Sequence, residues 1–384
     1  MIPQSLIDAM IDWRHLIHAN PETAFEEVAT AKLVASVLRE NGLEVAEAIG
    51  KTGVVGTLRR GQGPSLGLRA DMDALPLAEK NEFAHCSRTP GKMHGCGHDG
   101  HTTMLLGAAV ALAQDKNWQG TLHFIFQPAE EFGGGARKMI EDGLFERFPC
   151  DKVFAMHNWP SAPLGQFLIN HGPMMASSDN FEISIQGKGA HAAMPETGVD
   201  VLVCASQILL ALQTIASRRL SPRETAVVSA TQLHGGGDAY NVLPDNAFIR
   251  GTVRCFSKAT QSRIQQLMIE LAEGIARANG ASATVTYDAA YAATVNAAAE
   301  ADLAIAAARA VSGEAMVITN ADPAMGSEDF SFFLERVPGA YIWMGTNEGQ
   351  PVAPLHNPRY DFNDKALGVG ASYWVELVRH ITKA

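Results

Sequence analysis

The chain has 384 residues, of which 47% are hydrophobic, and this exceeds what one compact core usually holds, so we expect two domains. It carries 30 basic and 41 acidic residues, for a net charge of -11, and its basic residues cluster no further than pairs such as Arg59–Arg60. No nucleic acid and no anionic membrane surface is therefore expected as a partner.

The amino-terminal segment predicts an amphipathic helix of the mature protein. Its sequence, MIPQSLIDAMIDWRHLIHAN, carries charged residues among its apolar positions and lacks the basic start and unbroken apolar core of a secretion signal. No run of about 18 apolar residues is found in the sequence, so a membrane span is not expected. The five cysteines are odd in number and scattered, unlike a disulfide framework, and this predicts a cytoplasmic protein.

Helical and strand-like segments alternate through the first part of the chain. Thr30–Gly42 has amphipathic helical periodicity and ends in glycine, and GVVGTLR and SLGLRA are short apolar strands. GHTTMLLGAAVALAQD predicts a helix that is apolar on almost every side, and GTLHFIFQ and KVFAMHN follow as buried strands. This order is typical of an α/β domain with a mostly parallel sheet and helices on both faces. In such domains, ligands bind at the carboxyl ends of the strands.

The pattern changes near residue 179. From FEISIQG to SATVTYDAAY the segments follow the order strand, helix, strand, strand, helix, strand, with helices near 199–220 and 260–279. This order is compatible with a ferredoxin-like α+β sandwich of helices on an antiparallel sheet. The first pattern then returns with the buried strand YIWMGT. We therefore predict a discontinuous domain, residues 1–178 and 292–384, interrupted by an inserted domain, residues 179–291.

The segment MHGCGHDGH, Met93–His101, has the composition of a metal-binding loop. Its glycines let the backbone turn tightly enough for Cys96 and His98 to face one point. A thiolate and an imidazole suit zinc, and they suit manganese, cobalt or nickel less selectively. Two ligands are too few, so further ligands must come from other segments.

Other ligand-type side chains follow predicted strands or stand in a late loop. They are Asp71 and Asp73 in RADMDALP, Glu130 and Glu131 in QPAEE, His157 in AMHNWP and His356 in PLHNP. Because adjacent carboxylates at a strand end point in different directions, one can bind metal while its neighbour addresses a bound water. Hydrolysis requires this division of tasks.

Motifs in the sequence resemble those of the aminoacylase/carboxypeptidase metallohydrolase family. They are, in chain order, RADMDALP, GCGHDGH, QPAEE, MHNWP, GPMMASSD, GKGAHAAMP, NVLPD and LHNP. More narrowly, they are similar to the branch of hippurate hydrolases and indole-3-acetyl-amino-acid hydrolases. Cys96, which other branches lack, narrows the resemblance to this branch, and the resemblance covers almost the whole chain.

The resemblance implies a role for each matching residue. The ligands of a two-metal site would be Cys96, as the bridging thiolate, with His98, Glu131, His157 and His356. Glu130 matches the general base, and Asp73 matches the aspartate that orients the metal-site segment. His191 matches a histidine of the inserted domain that reaches a neighbouring subunit's active site, and Asn241 and Arg254 match residues that hold the substrate. The inserted domain is therefore expected to be a dimerisation or lid domain, and the protein a homodimer or a higher homo-oligomer.

The implied chemistry is hydrolysis of the amide bond of small N-acyl amino acids that carry acetyl, benzoyl or aryl-acetyl groups. The cofactor would be two divalent ions, manganese or zinc, with cobalt or nickel as further candidates. Two cations about 3.5–4 Å apart can share a water and lower its pKa to roughly 7. Glu130 would take the proton of that water and deliver it to the departing amine. His191 would stabilise the oxyanion, and Arg254 would hold the substrate carboxylate.

Alternatives remain for the activity. A metal-dependent carboxypeptidase or dipeptidase would use the same residues on a peptide. A catalytically inactive homologue would bind metal or a ligand and would have no need of Glu130. The motif PAEE, taken alone, could be the first turn of a helix, where acidic residues are favourable.

The roles of several neighbouring residues stay open. Asp71 stands where more distant relatives have a histidine ligand, and His94, Asp99 and His101 could each orient a ligand from behind it. The segment MGSEDFSFF, Met325–Phe333, is a further candidate for the lining of the site.

Overall fold

The structure is a computed structural model, and it describes residues 2–382. The α-helices of these residues are α1 (Gln4–Ala19), α2 (Val28–Glu40), α3 (His98–Gln114), α4 (Gly135–Glu141), α5 (Leu144–Arg147), α6 (Val201–Thr214), α7 (Lys258–Ala278), α8 (Ala298–Ser312), α9 (Ser331–Leu334) and α10 (Lys365–Thr382). The strands are β1 (Glu44–Ile49), β2 (Gly53–Arg60), β3 (Ser65–Asp71), β4 (Gly120–Gln127), β5 (Lys152–Pro163), β6 (Phe167–Leu168), β7 (Pro173–Met175), β8 (Ser178–Gln186), β9 (Ala190–His191), β10 (Ala226–Gly235), β11 (Val242–Leu243), β12 (Asn246–Cys255), β13 (Ser282–Tyr291), β14 (Thr294–Val295), β15 (Val317–Ile318) and β16 (Gly339–Asn347).

The chain divides into two compact units. The first comprises the residues up to Met174, Val295–Asp322 and the residues from Asp329 on, and the second comprises Met175–Thr294 and Pro323–Glu328. The sequence predicts boundaries after residues 178 and 291, and it places 323–328 in the first unit. That segment belongs to the second unit because the Ala176 N–H donates to the carbonyls of Ala324 and Gly326, at 3.0 and 2.9 Å.

The first unit is built on an eight-stranded sheet with the order β1-β2-β4-β3-β5-β16-β6-β15. The central strands β4, β3, β5 and β16 run parallel to one another. Antiparallel pairs, β2 with β4 and β6 with β16, flank them. The predicted α/β class with a mostly parallel sheet is therefore confirmed.

The helix α3 lies in the core of the first unit. Its residues are buried along nearly its whole length, because its sequence offers no continuous polar face. The helices α1 and α10 pack against it, and the surrounding core includes Met10, Phe124 and Trp374. Each large apolar side chain that is fully buried in such a core contributes about 1.5–3 kcal/mol to folding.

The parallel strands bring their carboxyl ends to one edge of this sheet. Asp71 pairs with Gln127 across β3 and β4, and Arg69 pairs with Ala155 across β3 and β5. Asp71 and His157 each follow this second pair by two residues, so they lie side by side on β3 and β5. This register places the ends of β3 and β4, and the loops that follow them, beside His157 in the middle of β5.

The second unit is an antiparallel sheet of four strands covered by two helices. The sheet order is β10-β12-β8-β13, and α6 and α7 pack against it. Counted along the chain, these strands have the spatial order 4-1-3-2, which is that of a ferredoxin-like fold. Its core includes Ile183, Ile208 and Leu267. The predicted ferredoxin-like architecture is confirmed.

One helical stretch in the second unit is long and apolar enough to cross a membrane, by length and composition alone. It joins α6 to a π-helical turn, Ile215–Arg219. Cys204, Ile208 and Leu212 on one face of this stretch are fully buried in the core of the unit, whereas Leu210 is 68% exposed. The stretch is not an unbroken apolar run, because Ser206, Gln207, Gln213 and Thr214 interrupt it.

Candidate metal centre

The loop that precedes α3 turns sharply at Gly97. This residue has a φ of +92°, and a Cβ there would lie 2.4 Å from Nδ2 of Asn158 and 2.8 Å from the hydroxyl of Tyr360. Only glycine fits this combination of left-handed backbone and close approach. The turn allows Cys96 and His98, on either side of it, to face the same region.

The imidazoles of His98 and His157 are each oriented by a backbone carbonyl. Nδ1 of His98 donates to the carbonyl of Asp73 at 2.9 Å, and Nδ1 of His157 donates to the carbonyl of Asn158 at 2.7 Å. Because a carbonyl can only accept, the proton is on Nδ1 and the lone pair is on Nε2 in both neutral rings. Nε2 of His98 is buried and has no hydrogen-bond partner among the described residues, as expected of a nitrogen placed to bind a metal.

The predicted ligands of the first unit come together in two groups that share Cys96. Ligand atoms of Cys96, His98 and His157 all lie within 4.8 Å of one another, and so do those of Cys96, Glu131 and His356. Sγ of Cys96 is 3.4 Å from Nε2 of His157, and Nε2 of His356 is 3.1 Å from Oε1 of Glu131. A thiolate common to two groups is the arrangement that a bridging ligand requires.

The electrostatics of these groups favour a bound cation. Burial, with Glu131 beside it, raises the pKa of the Cys96 thiol well above its ordinary value. Burial alone would lower the pKa of His98, but Asp71 and Asp73 raise it to about 10. Divalent ions would offset the negative charge gathered here and deprotonate the thiol. The residues present therefore fit a two-metal site of thiolate, imidazole and carboxylate ligands.

The two adjacent glutamates are held by Asp73. Its Oδ1 accepts the N–H of Glu130 and its Oδ2 accepts the N–H of Glu131, both at 3.0 Å. The carboxylate of Glu131 then reaches His356, whereas the carboxylate of Glu130 accepts the N–H of Asp329 at 3.4 Å. Neighbouring carboxylates thus take different partners, and Asp73 fixes the backbone that separates them.

The ligand candidate His356 lies in an exposed loop with a strained backbone. Its φ is +62°, in the left-handed region that side chains other than glycine rarely adopt. Its N–H donates to the carbonyl of Gly95 at 2.8 Å, which ties this late loop to the loop of Cys96. The strain is therefore maintained by contact with the site itself.

The open question about Asp71 and His101 has a structural answer. Oδ1 of Asp71 accepts from Nδ1 of His101 at 2.6 Å, and Oδ2 accepts from Arg69 at 2.8 Å. The backbone N–H of Asn158 donates to Nε2 of His101 at 2.9 Å, so both nitrogens of this ring are occupied. Burial opposes ionisation, but His98 and Arg69 hold the pKa of Asp71 well below its ordinary value. Ligand atoms of Asp71, His98 and His101 also lie within 4.8 Å of one another, so these two residues adjoin the cluster at His98.

Two further supporting residues had weak signals in the sequence. Asn158, beside His157, donates from Nδ2 to the carbonyl of Cys96 at 2.7 Å. Asp329 is fully buried, and its carboxylate accepts from Gln127 at 2.7 Å and from Arg69 at 3.1 Å. Asp329 lies in the segment MGSEDFSFF, which composition alone could flag only as a candidate lining.

The remaining predicted site residues lie in the second unit. His191 is exposed on a ribbon of β9 and β11, where it pairs with Val242, and its neighbour Ala192 donates to the carbonyl of Asn241 at 2.9 Å. The N–H of Ala193 donates to Nδ1 of His191 at 3.1 Å, so the proton of the neutral ring is on Nε2.

Arg254 lies on β12 of the second unit. Its hydrogen bonds within residues 2–382 go to neutral oxygens, those of Thr252 at 2.5 Å and the Val253 carbonyl at 3.0 Å. Burial lowers the pKa of Arg254 from its ordinary value. A guanidinium with no carboxylate bound among the described residues is suited to an anionic group of a ligand.

Comparison with known proteins identifies close relatives. Residues 67–380 match the peptidase family M20/M25/M40. The chain is 45% identical over 365 residues to the hippurate hydrolase of Campylobacter jejuni, a match that covers 95% of this chain and 94% of that protein. It is 40% identical over 376 residues to an IAA-amino acid hydrolase of Arabidopsis thaliana, with 95% and 84% of the two chains covered. The solved structure of the YXEP protein of Bacillus subtilis, a dinuclear metal-binding peptidase, matches with a TM-score of 0.87 and 35% identity over 99% of both chains.

Proposed function

Because the chain belongs to the peptidase family M20/M25/M40, we propose that it is a metal-dependent amidohydrolase that cleaves the amide bond of N-acyl amino acids. The products would be a carboxylic acid and a free amino acid. The resemblance that the sequence motifs predict, to hippurate hydrolases and indole-3-acetyl-amino-acid hydrolases, is confirmed by the relatives.

The observation that carries the proposal is the pair of carboxylates beside the shared thiol. Glu131 lies with Cys96 and His356, whereas Glu130 accepts the N–H of Asp329 and is still close enough for its carboxylate to lie within 4.8 Å of the ligand atoms of His98 and Glu131. A protein that only stores metal needs ligands but no separate base. The arrangement therefore favours hydrolysis over binding alone.

We propose two divalent ions as the cofactor, manganese or zinc, with cobalt and nickel as further candidates. Cys96, His98, Glu131, His157 and His356 would hold them. When bound, such ions supply an activated water at neutral pH and polarise the scissile carbonyl. We propose a cytoplasmic location, where reducing conditions keep a free cysteine available as a metal ligand.

The protein groups would divide the remaining work among themselves. Glu130 would accept the proton of the attacking water and then pass it to the leaving amine, since a carboxylate within reach of both can serve as base and acid. Nε2–H of His191 is a suitable donor to the developing oxyanion, and Arg254 suits the substrate carboxylate. Asn241 would help to hold the substrate.

We propose that the second unit joins two copies of the chain. On α6, the side chains of Leu210 and Val203 are 68% and 49% exposed, and on β10, an edge strand of the sheet, Leu233 is 42% exposed. Exposed apolar side chains beside an unpaired sheet edge are features of an interface between copies. Dimerisation through the second unit supports the expectation that His191 serves a neighbouring subunit's active site.

The test is a substrate panel on protein that has been stripped of metal and reloaded with single metals. We expect the protein to hydrolyse hippurate or acetyl amino acids faster than it hydrolyses dipeptides. The reverse order of rates would indicate a dipeptidase or carboxypeptidase. Glu130→Gln should lower kcat by about 10²–10⁴-fold, because general acid–base catalysis supplies that much, while metal content stays unchanged. Metal binding without hydrolysis of any substrate would identify an inactive binding homologue.

A further inference from the structure

Glu27 is a fully buried carboxylate outside the proposed ligand set. It directly precedes α2, where an acidic side chain often caps the helix, but its side chain makes no capping hydrogen bond. Glu22 does this instead, since it accepts the N–H groups of Ala29 and Thr30, each at 2.9 Å. The carboxylate of Glu27 therefore serves another part of the fold.

Three donors reach the carboxylate of Glu27. Its Oε1 accepts the N–H groups of Phe25 and Ala129, both at 3.0 Å, and its Oε2 accepts the hydroxyl of Thr52 at 2.5 Å. Ala129 is distant in the sequence, so this contact joins the start of α2 to the loop after β4. Burial raises the pKa of Glu27 to about 7, whereas the hydrogen bonds from Thr52 and Ala129 oppose this by stabilising the charged carboxylate.

Ala129 begins the turn that carries both glutamates of the site. It is fully buried, and its φ of +53° lies in the left-handed region that alanine rarely adopts. Its carbonyl accepts the N–H of Gly135 at 3.0 Å. The N–H groups of Glu130 and Glu131, next in the chain, are held by Asp73. Carboxylates thus hold three successive backbone N–H groups, and Glu27 holds the first.

We infer that Glu27 is a positioning residue, which keeps the peptide of Ala129 in the conformation that aims the carboxylate of Glu130. The inference rests on the proposed role of Glu130 as general base. Asp73 does not hold the N–H of the peptide between Pro128 and Ala129, which donates to Glu27. A rotation of that peptide would displace all atoms that follow, including the carboxylate of Glu130. A displacement of about 1 Å caused by a residue outside the reacting groups can lower a rate by about 100-fold.

The test compares Glu27→Ala with Glu27→Gln in the metal-loaded protein. Glu27→Ala should lower kcat by about 10- to 100-fold and leave KM within about two-fold, because substrate binding does not depend on the aim of the base. Metal content per subunit, measured by mass spectrometry of the metals, should match the wild type. Glu27→Gln should keep most of the kcat, since its Oε1 can accept both N–H groups and its amide can donate to Thr52.

Glu22→Ala is the matched control. This carboxylate lies on the same segment, and its hydrogen bonds among residues 2–382 go to Ala29 and Thr30 of α2 rather than to the turn at Ala129. Its loss should lower the thermal midpoint of unfolding and leave kcat within two-fold. The two alanine variants together separate a positioning role from a loss of stability at the start of α2.

The outcomes are distinguishable. A folded, metal-loaded Glu27→Ala that keeps kcat within two-fold, or a Glu22→Ala that loses kcat by the same factor, overturns the inference. If Glu27→Ala does not fold, Glu27→Asp and Glu27→Gln decide, because the shorter aspartate cannot reach Ala129 and Thr52 together; equal kcat in these two overturns it as well. Absence of hydrolysis by the wild type rejects the proposed function instead.

Discussion

Three histidines of the candidate centre show how the direction of single hydrogen bonds separates similar residues. His98 and His157 donate from Nδ1 to carbonyls, which leaves Nε2 as the nitrogen that can bind a metal when the ring is neutral, whereas His101 accepts at Nε2 from the N–H of Asn158. His98 and His101 are three residues apart in one glycine-rich motif, so spacing could not tell their tasks apart. The difference arises from which backbone group each ring meets in the folded chain.

Gly97 provides a prediction with an internal control. Gly97→Ala places a methyl group within 2.4 Å of Asn158 on a backbone with φ of +92°, whereas Gly91→Ala has a similar φ of +79° and no atom within 4 Å. We expect Gly91→Ala to cost about 1 kcal/mol from backbone strain, as for other left-handed positions. Gly97→Ala should cost several times more and should also reduce metal content, because the loop of Cys96 must move. Thermal unfolding and metal analysis of both variants measure this, and equal effects would contradict it.

The charge of His18 gives a prediction for the dependence of stability on pH. Burial alone would lower its pKa, but hydrogen bonds to Asp99 and Glu79 raise it to about 9, against the opposing charge of Arg14 and beside the rings of His85 and His94. Since the folded value lies above the unfolded value of about 6.5, the stabilisation is complete below pH 6.5 and is lost as pH rises towards 9. It is worth on the order of 3 kcal/mol at most.

Measurement of the unfolding free energy between pH 6 and 9.5 tests this sign. The wild type should lose stability relative to His18→Gln across that interval, because the amide does not titrate. A difference between the two proteins that stays constant with pH would show that His18 is not charged in the folded state.

The helix α1 is joined to the metal loop through a buried ion-pair cluster. Arg14 has no exposed side-chain surface, and it contacts Asp99 at the start of α3 at 3.1 Å and Asp361 and Asp364 at 2.9 and 2.5 Å. The cluster therefore links three segments that are far apart in sequence. Because removal of one member leaves buried charges with fewer partners, the packing of α1 depends on this cluster as well as on its apolar face.

Arg14→Met should destabilise the protein by about 3–5 kcal/mol, because the buried charge of Asp99 would lose one of its two ion-pair partners and keep only His18. Arg39→Met is the control, since Arg39 pairs with Glu47 at the surface, where the two side chains are 52% and 41% exposed. An exposed pair of this kind is worth about 0–1 kcal/mol. Chemical denaturation of both variants provides the comparison, and a similar small loss in the two would show that the cluster is solvated.

The sequence predicted elements well where apolar periodicity was strong and poorly where it was not. β3, β4 and α3 are apolar runs, and each was expected near its observed bounds, whereas β5 extends to Pro163, beyond the predicted strand KVFAMHN. β1, with the sequence EVAEAI, was missed because its burial comes from pairing with β2 rather than from its own composition. Residues 323–328 were predicted in the first unit but belong to the second. The backbone hydrogen bonds that place them there cannot be predicted from composition.

Supporting side chains of the site were the hardest to predict. Cys96 and His98 could be predicted as ligands because the segment that contains them has an unusual composition. Glu27, Asn158 and Asp329, in contrast, belong to segments in which a carboxylate or amide is common. Their importance comes from tertiary contacts such as that of Glu27 with Ala129, at 3.0 Å. A single sequence contains no sign of which distant N–H group a buried carboxylate will meet.

The division of the molecule into two units separates the proposed catalytic groups. Glu130 and the ligand cluster belong to the first unit, and His191, exposed on its ribbon, belongs to the second. If one active site takes Glu130 from one subunit and His191 from another, then an isolated chain has an incomplete site. Activity should therefore depend on dimerisation. A chain that lacks Glu130 and a chain that lacks His191 should restore one complete active site when they pair.

A heterodimer of two inactive variants tests this dependence. Glu130→Ala and His191→Ala, coexpressed with different tags and purified through both, should form a dimer in which one site lacks both groups and the other has both. Such a heterodimer should recover about half of the wild-type activity per dimer, because each site of a two-fold dimer is built in the same way from the two chains. The control is a heterodimer of Glu130→Ala with the double variant, which contains no complete site. Gel filtration verifies the assembly of both, and a first heterodimer as inactive as the control would place His191 in the active site of its own chain or outside the reaction.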